Sequence, residues 1–280
     1  MNKYDIFIVG HLSKDEFILH GHSRRSLGGS LYWTCFPAKK LGLKVALAPK
    51  LARRDFPLLD EFEDMDLYPI DSWATKERLF IYPLDEDLDK RIIKVFSPST
   101  PINSTELPDI KTRVTLLAGV QDTDFSMNFV KSVASRKQYG DLALDAQSFI
   151  REVRDREVFY KQWRERRQIL PLTKYFKCDL KEAKILTNGK SPEEAVKQIA
   201  DWGAKEIILT SKDGIMSYVE GKYYKEILSE KDIKGRTGRG DTAFVSFISS
   251  RLQGKCGYES TRTAREYTEE KLKIEGAVKK

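Results

Sequence analysis

Asp241 closes a glycine-rich run, Gly-Arg-Thr-Gly-Arg-Gly-Asp over residues 235–241, and an apolar stretch with helical spacing follows it directly. A turn of that composition leading into a helix aims backbone N–H groups and a positive helix end at one point, which suits a phosphate. Gly238 and Gly240 permit close approach and backbone angles closed to other residues. Asp241 falls in the first helical turn, where a carboxylate beside a held phosphate can take a proton from an attacking hydroxyl. Arg239 adds a cation at the same place. Gly238, Arg239, Gly240 and Asp241 therefore read as a phosphate site with a base, the plainer alternative being a capped helix with an N-terminal aspartate.

These residues need a scaffold that delivers strand ends and helix starts to one edge, and the chain supplies it. Short β-branched runs at 4–10, 43–49, 113–119, 141–146 and 204–210 read as buried strands. Helical spacing falls between or after them at 124–137, 153–168, 191–202, 240–253 and 260–276, with Ser191, Pro192 and Glu194 forming an N-cap, first-turn proline and capping-box glutamate. The alternation predicts an α/β three-layer sandwich, a mainly parallel sheet between helices with right-handed crossovers. Residues 16–27 and 77–96 break the rhythm as extended ribbons, the second turning at Asp85–Asp89. They predict a small β-lid, from about 16–27 and 75–98, inserted within one domain spanning residues 1–280.

Composition narrows the function classes. Lys and Arg number 49 against 42 Asp and Glu, a net charge of +7, yet the densest basic patch, Arg164, Arg166 and Arg167, is interrupted by Glu165 and reads as a solvated helix face. No nucleic-acid partner is expected. No apolar run approaches the roughly 20 residues of a membrane span, and the start carries no secretory pattern, so the expected location is cytoplasmic with no membrane partner. Three scattered cysteines form neither a disulfide framework nor a metal-ligand pair. His20 and His22 share a strand face, but no further ligand at metal spacing completes a site.

The segment 235–244 resembles the C-terminal signature of the ribokinase-like (PfkB) family of sugar and nucleoside kinases, and it departs from that family's usual form at Gly235, Arg236 and Arg239. The resemblance runs along nearly the whole chain. VGHLSKDEF (9–17) is similar to the family's first strand and acceptor-binding aspartate, and LGGSLYWTCFPAKKLG (27–42) to its Gly-Gly signature and following helix. It implies a substrate-binding set of His11, Asp15, Gly28, Gly29 and Trp33, with Asp15 accepting hydrogen bonds from hydroxyls. Trp33 stands where many sugar kinases of the family have Asn, so a ring face for an acceptor to stack on is expected, a nucleoside or cyclic polyol ahead of a small furanose. The cluster Tyr32, Trp33 and Phe36 fits a core equally well.

LDAQSFIR (144–151) is similar to a strand-end element whose Arg151 would hold an anionic group. KCDLKEAKILT (177–187) matches the family's Asn-x-x-Glu segment, with Asp179 in the Asn place; Glu182, acting through water, and Asp179 are the implied Mg2+ residues. ILTSKDGIMSYVEGKYY (208–224) resembles a nucleotide-contacting strand-turn-strand, placing Thr210 and Gly214 beside the nucleotide with Gly238 and Gly240. The resemblance thus implies a kinase of a small polyhydroxylated metabolite using ATP and Mg2+, with K+ as a further cofactor and a homodimer through the lid as a further assembly. Two alternatives stand beside it: a catalytically silent relative that binds sugar or nucleotide, and a dinucleotide enzyme, which the missing Gly-x-Gly-x-x-Gly after the first strand disfavours.

Overall fold

The computed structural model of the protein describes residues 3–19, 21–83, 90–97, 100–230 and 232–279. In chain order the strands are β1 (Lys3–His11), β2 (Ser13–Leu19), β3 (His22–Gly28), β4 (Val45–Ala52), β5 (Asp66–Leu67), β6 (Ile70–Ser72), β7 (Lys76–Ile81), β8 (Ile92–Val95), β9 (Lys111–Ala118), β10 (Asp141–Asp145), β11 (Arg151–Arg154), β12 (Glu157–Tyr160), β13 (Thr173–Asp179), β14 (Glu206–Thr210), β15 (Gly214–Val219) and β16 (Lys222–Ile227). The α-helices are α1 (Ser30–Lys40), α2 (Met127–Ser135), α3 (Gln147–Ile150), α4 (Arg166–Ile169), α5 (Leu180–Leu186), α6 (Pro192–Asp201), α7 (Arg239–Leu252) and α8 (Gly257–Leu272).

The larger sheet runs β16-β15-β14-β13-β10-β9-β1-β4-β5, with β6 also on β4, and every pairing from β14 to β5 is parallel. Along β1, Ile6 and Ile8 join one core with Leu31, Phe244 and Phe247, while Phe7 and Val9 join the other with Phe129, Val130 and Ile199. An uninterrupted apolar strand covered on both faces is what a three-layer sandwich requires. The chain leaves β1 toward β4 on one side and later fills β9, β10, β13 and β14 on the other. The edge beyond the carboxyl ends of β1 and β9 is therefore the switch point at which such sheets bind ligands.

The smaller sheet, β11-β12-β8-β7-β2-β3, is the lid. The two ribbons foreseen at 16–27 and 77–96 are strand pairs β2–β3 and β7–β8, with the turn at Asp85–Asp89 and His20 lying outside the described residues. The helix expected at 153–168 is a correction: β11 and β12 form a hairpin that extends the lid, and only Arg166–Ile169 is helical. Asp155 and Arg156 turn that hairpin with φ of 47° and 68°, the double left-handed geometry that follows strand twist. Among the described residues no helix is long and apolar enough to cross a membrane.

Candidate active site

Two chain corners meet at Asp241. The first is the β3–α1 junction, where Gly29, with φ of 96°, ends the lid strand and Ser30 begins the helix. A Cβ on Gly28 would overlap the Asp15 carboxylate, and one on Gly29 would lie 2.3 Å from the His11 carbonyl. Only glycines let this corner close so tightly on β1 and β2. The second corner is the loop 235–238. Gly238 is left-handed at φ 88° and caps α7, so the amides of Gly240 and Asp241 lie in a first turn that offers them no carbonyl one turn earlier. Ser30 Oγ donates to Asp241 Oδ1 across the corners, which orients the carboxylate.

Behind that turn lies a buried chain of charges. Lys177 on β13 donates to both oxygens of Asp145 at 2.9 and 3.2 Å and lies 3.7 Å from Glu182. A Cβ on Gly240 would sit 3.1 Å from its Nζ, so Gly240 admits the ammonium against the start of α7. Burial opposes the charge on Lys177, but Asp145, then Glu182 and Asp241, hold its pKa above the usual lysine range. Arg151 Nη2 donates to Glu182 at 2.7 Å. The other oxygen of Glu182 accepts the Asp179 amide at 2.8 Å, and Asp179 returns the bond to the Glu182 amide in a capping box. Burial would raise Glu182, but Lys177, then Arg151, bring its carboxyl below the ordinary range.

This chain of charges opens into a cavity of about 760 Å³ whose lining, among the described residues, has seven cationic side chains, Arg91, Arg151, Lys181, Lys184, Lys212, Arg236 and Arg239, against three anionic ones, Glu157, Asp179 and Asp213. The excess suits a polyanion. Thr210 reaches this cavity, and so do Asp179 and Arg151. Gly214 instead works in the strand pair, where a Cβ would lie 2.4 Å from the Glu226 carbonyl. Of the two acids expected to serve Mg2+, Asp179 keeps surface on the cavity, whereas Glu182 is fully buried with both oxygens bonded.

The acceptor-side residues are more enclosed than the sequence suggests. Asp15 is paired bidentately with Arg78 of β7, at 2.9 and 2.6 Å, and accepts from Ser13 Oγ at 2.8 Å. His11 Nε2 donates to the Thr100 carbonyl at 2.9 Å. Burial, then Lys76, lowers its pKa to about 4, so it is neutral near pH 7. Trp33 is a correction to the stacking expectation. Its indole is 2% exposed, and a Cβ on Gly238 would lie 2.4–2.9 Å from three ring atoms; the ring is a wall for the 235–238 loop. The lid reaches the same loop, since Tyr82 and Arg91 both bond the Thr237 hydroxyl, at 2.9 and 2.7 Å.

Sequence reasoning passed over Lys177, Asp145, Ser30 and Arg78. Lys177 had a signal, a lone lysine inside the otherwise apolar run 175–178. Ser30 follows directly on the Gly-Gly pair. Arg78 had none, because its partner is 63 residues away.

The whole arrangement matches solved structures. A pyrophosphate-dependent kinase of the ribokinase family, in a sulfate complex, superposes with a TM-score of 0.89 at 24% identity, covering 98% of this chain and 97% of that one. A pyrophosphate-dependent kinase of that family complexed with a pyrophosphate analogue and myo-inositol gives 0.89 at 23% identity, covering 98% and 97%. An E. coli protein described as a candidate ribokinase II, in complex with ATP and Mg2+, gives 0.74 at 14% identity, covering 98% and 94%. No protein-family model matches the sequence, and no curated protein does. The chain has the ribokinase fold.

Proposed function

We propose that residues 1–280 form one kinase unit that transfers a phosphoryl group from a polyphosphate to a hydroxyl of a small cyclic polyol, with Asp241 as the base. The observation that carries this reading is the meeting at Asp241 of the left-handed Gly238 loop and the open first turn of α7, with Arg236 and Arg239 of the same segment lining the cation-rich cavity. Phosphoryl transfer needs little covalent chemistry from a protein, only in-line positioning and stabilisation of spreading negative charge. Asp241, held by Ser30, takes the hydroxyl proton. The α7 amides and Lys177 face the charge that develops on the transferred group.

The cation excess and the pyrophosphate-dependent proteins sharing the fold favour pyrophosphate as donor. ATP is the second reading, supported by the aliphatic part of the same cavity, Ile92, Ile93 and Val158, and by the ATP complex of the E. coli protein. Asp179, on the cavity, is the carboxylate that would hold Mg2+, which would neutralise phosphate charge, and Glu182 positions its neighbours by bonding Arg151 and the Asp179 amide. Myo-inositol, bound by one of the similar structures, is the leading acceptor. The exposed apolar residues Ile92, Phe96 and Phe159 on the lid support pairing of two copies there.

The test is phosphorylation of myo-inositol, ribose, fructose and cytidine with pyrophosphate or ATP as donor. Pyrophosphate with myo-inositol is expected to give the highest kcat/KM. Asp241→Asn should lower turnover roughly 10²- to 10⁴-fold with donor binding preserved, the usual range for a positioned base. Near-normal turnover in that variant rejects Asp241 as the base, and no transfer by the wild type to any acceptor rejects the kinase reading.

A further inference from the structure

Lys271, near the end of α8, is completely buried and makes no ion pair with a described residue. Its Nζ donates to the Gly235 carbonyl at 3.0 Å and the Ile274 carbonyl at 2.9 Å, and it lies 5.3 Å from the centre of the Trp33 ring. Two main-chain carbonyls and an indole face are how a desolvated monovalent cation is held when no carboxylate neutralises it. Burial first, and Arg24 next, lower the lysine to about 8, with Glu275 opposing. A buried ammonium without a counter-ion is costly, so its carbonyl contacts must keep it in place.

The groups it holds lead to the anion loop. Gly235 lies three residues before Gly238, and Trp33 is the wall against which Gly238 packs. The Lys234 and Gly235 amides both donate to the Leu272 carbonyl, at 2.8 and 3.4 Å, so the loop is laced to the C-terminal turn on both sides of the ammonium. Arg24 of β3 adds a tie to that turn through Glu275, at 3.2 Å.

We propose that Lys271 is a positioning residue whose ammonium serves as a built-in monovalent cation, setting the 235–238 loop, and through it the phosphate-binding turn of α7, in the geometry for transfer. The inference rests on the phosphoryl-transfer reading above. With the carbonyl cage already filled, the wild type should be indifferent to the choice of potassium or sodium.

Two variants test this. Lys271→Met keeps the volume and removes the charge; Lys271→Ala leaves a space that a small amine can enter. Folding is checked by circular dichroism. Turnover is measured with pyrophosphate and myo-inositol, and pyrophosphate binding by calorimetry. Both variants should lose about 100-fold in kcat, the scale of an ångström-level misplacement, and bind pyrophosphate more weakly, with the acceptor KM little changed. Ammonium or propylammonium chloride should restore Lys271→Ala about tenfold, with sodium chloride at equal ionic strength ineffective, and should leave Lys271→Met unrescued. Folded Lys271→Met with wild-type turnover and pyrophosphate affinity overturns the proposal. So does a folded Lys271→Ala that no amine improves; if Lys271→Ala does not fold, Lys271→Met decides alone. A wild type that neither binds pyrophosphate nor transfers phosphate instead overturns the function proposed above.

Discussion

Two groups of buried charges lie near the carboxyl edge of the central sheet, and they differ in what they face. Lys177, Asp145, Glu182 and Arg151 lie behind the α7 turn and run out to the cationic cavity through Arg151 and Asp179. Lys76, Asp124 and His11 are sealed, at 1%, 0% and 3% exposure, where the β7 start meets the loop after β9. In the second group Lys76 donates to Asp124, which also accepts the Val120 amide at 2.8 Å. Burial would raise Asp124, but Lys76, then His11, bring it to about 2. Both groups satisfy their charges internally. Only the first has a route by which an incoming anion can feel them, so a perturbed carboxylate or lysine marks a functional site only when something can approach it.

The sharpest way to break this contrast is Lys177→Met. It strips Asp145 and Glu182 of their shared cation, a change expected to cost on the order of 3–5 kcal/mol of stability and, at a temperature where the variant is folded, about 100-fold in turnover together with weaker pyrophosphate binding. Thermal melts and donor titration read the two effects separately. Unchanged turnover in the folded variant would reduce both groups to scaffolding.

Asp124→Asn should cost a similar or slightly smaller amount, about 3 kcal/mol, because it strands the Lys76 ammonium; kcat of the folded variant should stay within about twofold. A large loss of kcat without a lowered Tm would place the sealed group in the chemistry after all.

The smallest effect is a slope with pH. His11 has a folded pKa near 4 against an ordinary value of 6.5. Between these values the unfolded chain holds a proton that the native state does not, so stability rises with pH across the window and is lost as pH falls from about 6.5 toward 4, by at most about 3 kcal/mol. The Asp124 loss follows from about 4 down to 2. Urea midpoints at pH 4.5 and 7 should differ less for His11→Asn than for the wild type; equal slopes would show that His11 is not the titrating group.

Much of this was legible in the sequence, because it was local. The runs at 4–10, 43–49, 113–119, 141–146 and 204–210 became β1, β4, β9, β10 and β14, whereas β13, with two lysines among its seven residues, was missed; the Gly238–Asp241 turn is written in four consecutive residues. What was not legible depends on pairs far apart in the chain: Ser30 with Asp241, Asp15 with Arg78, Lys177 with Asp145. The hairpin at 151–160 hid for another reason. Its turn is Asp-Arg, without the glycine that usually signals two left-handed residues, and its charged residues suit a solvated helix as well as a strand. The stacking face expected at Trp33 rested on its standing where many sugar kinases have Asn, with a core role equally open; the αL loop that packs on its ring comes from 205 residues later.

The lid is sewn from three strand pairs, β2–β3, β7–β8 and β11–β12, and its β2–β7 pairing joins residues 63 apart. No stretch can complete that sheet until β9 and β10 have brought the third one round. Closing the sheet at β8–β12 therefore carries a long-loop entropy cost that the β2–β3 and β7–β8 pairings do not. The same order in reverse would open the lid before the central sheet, and with it the ties of Tyr82 and Arg91 to Thr237 in the loop before α7.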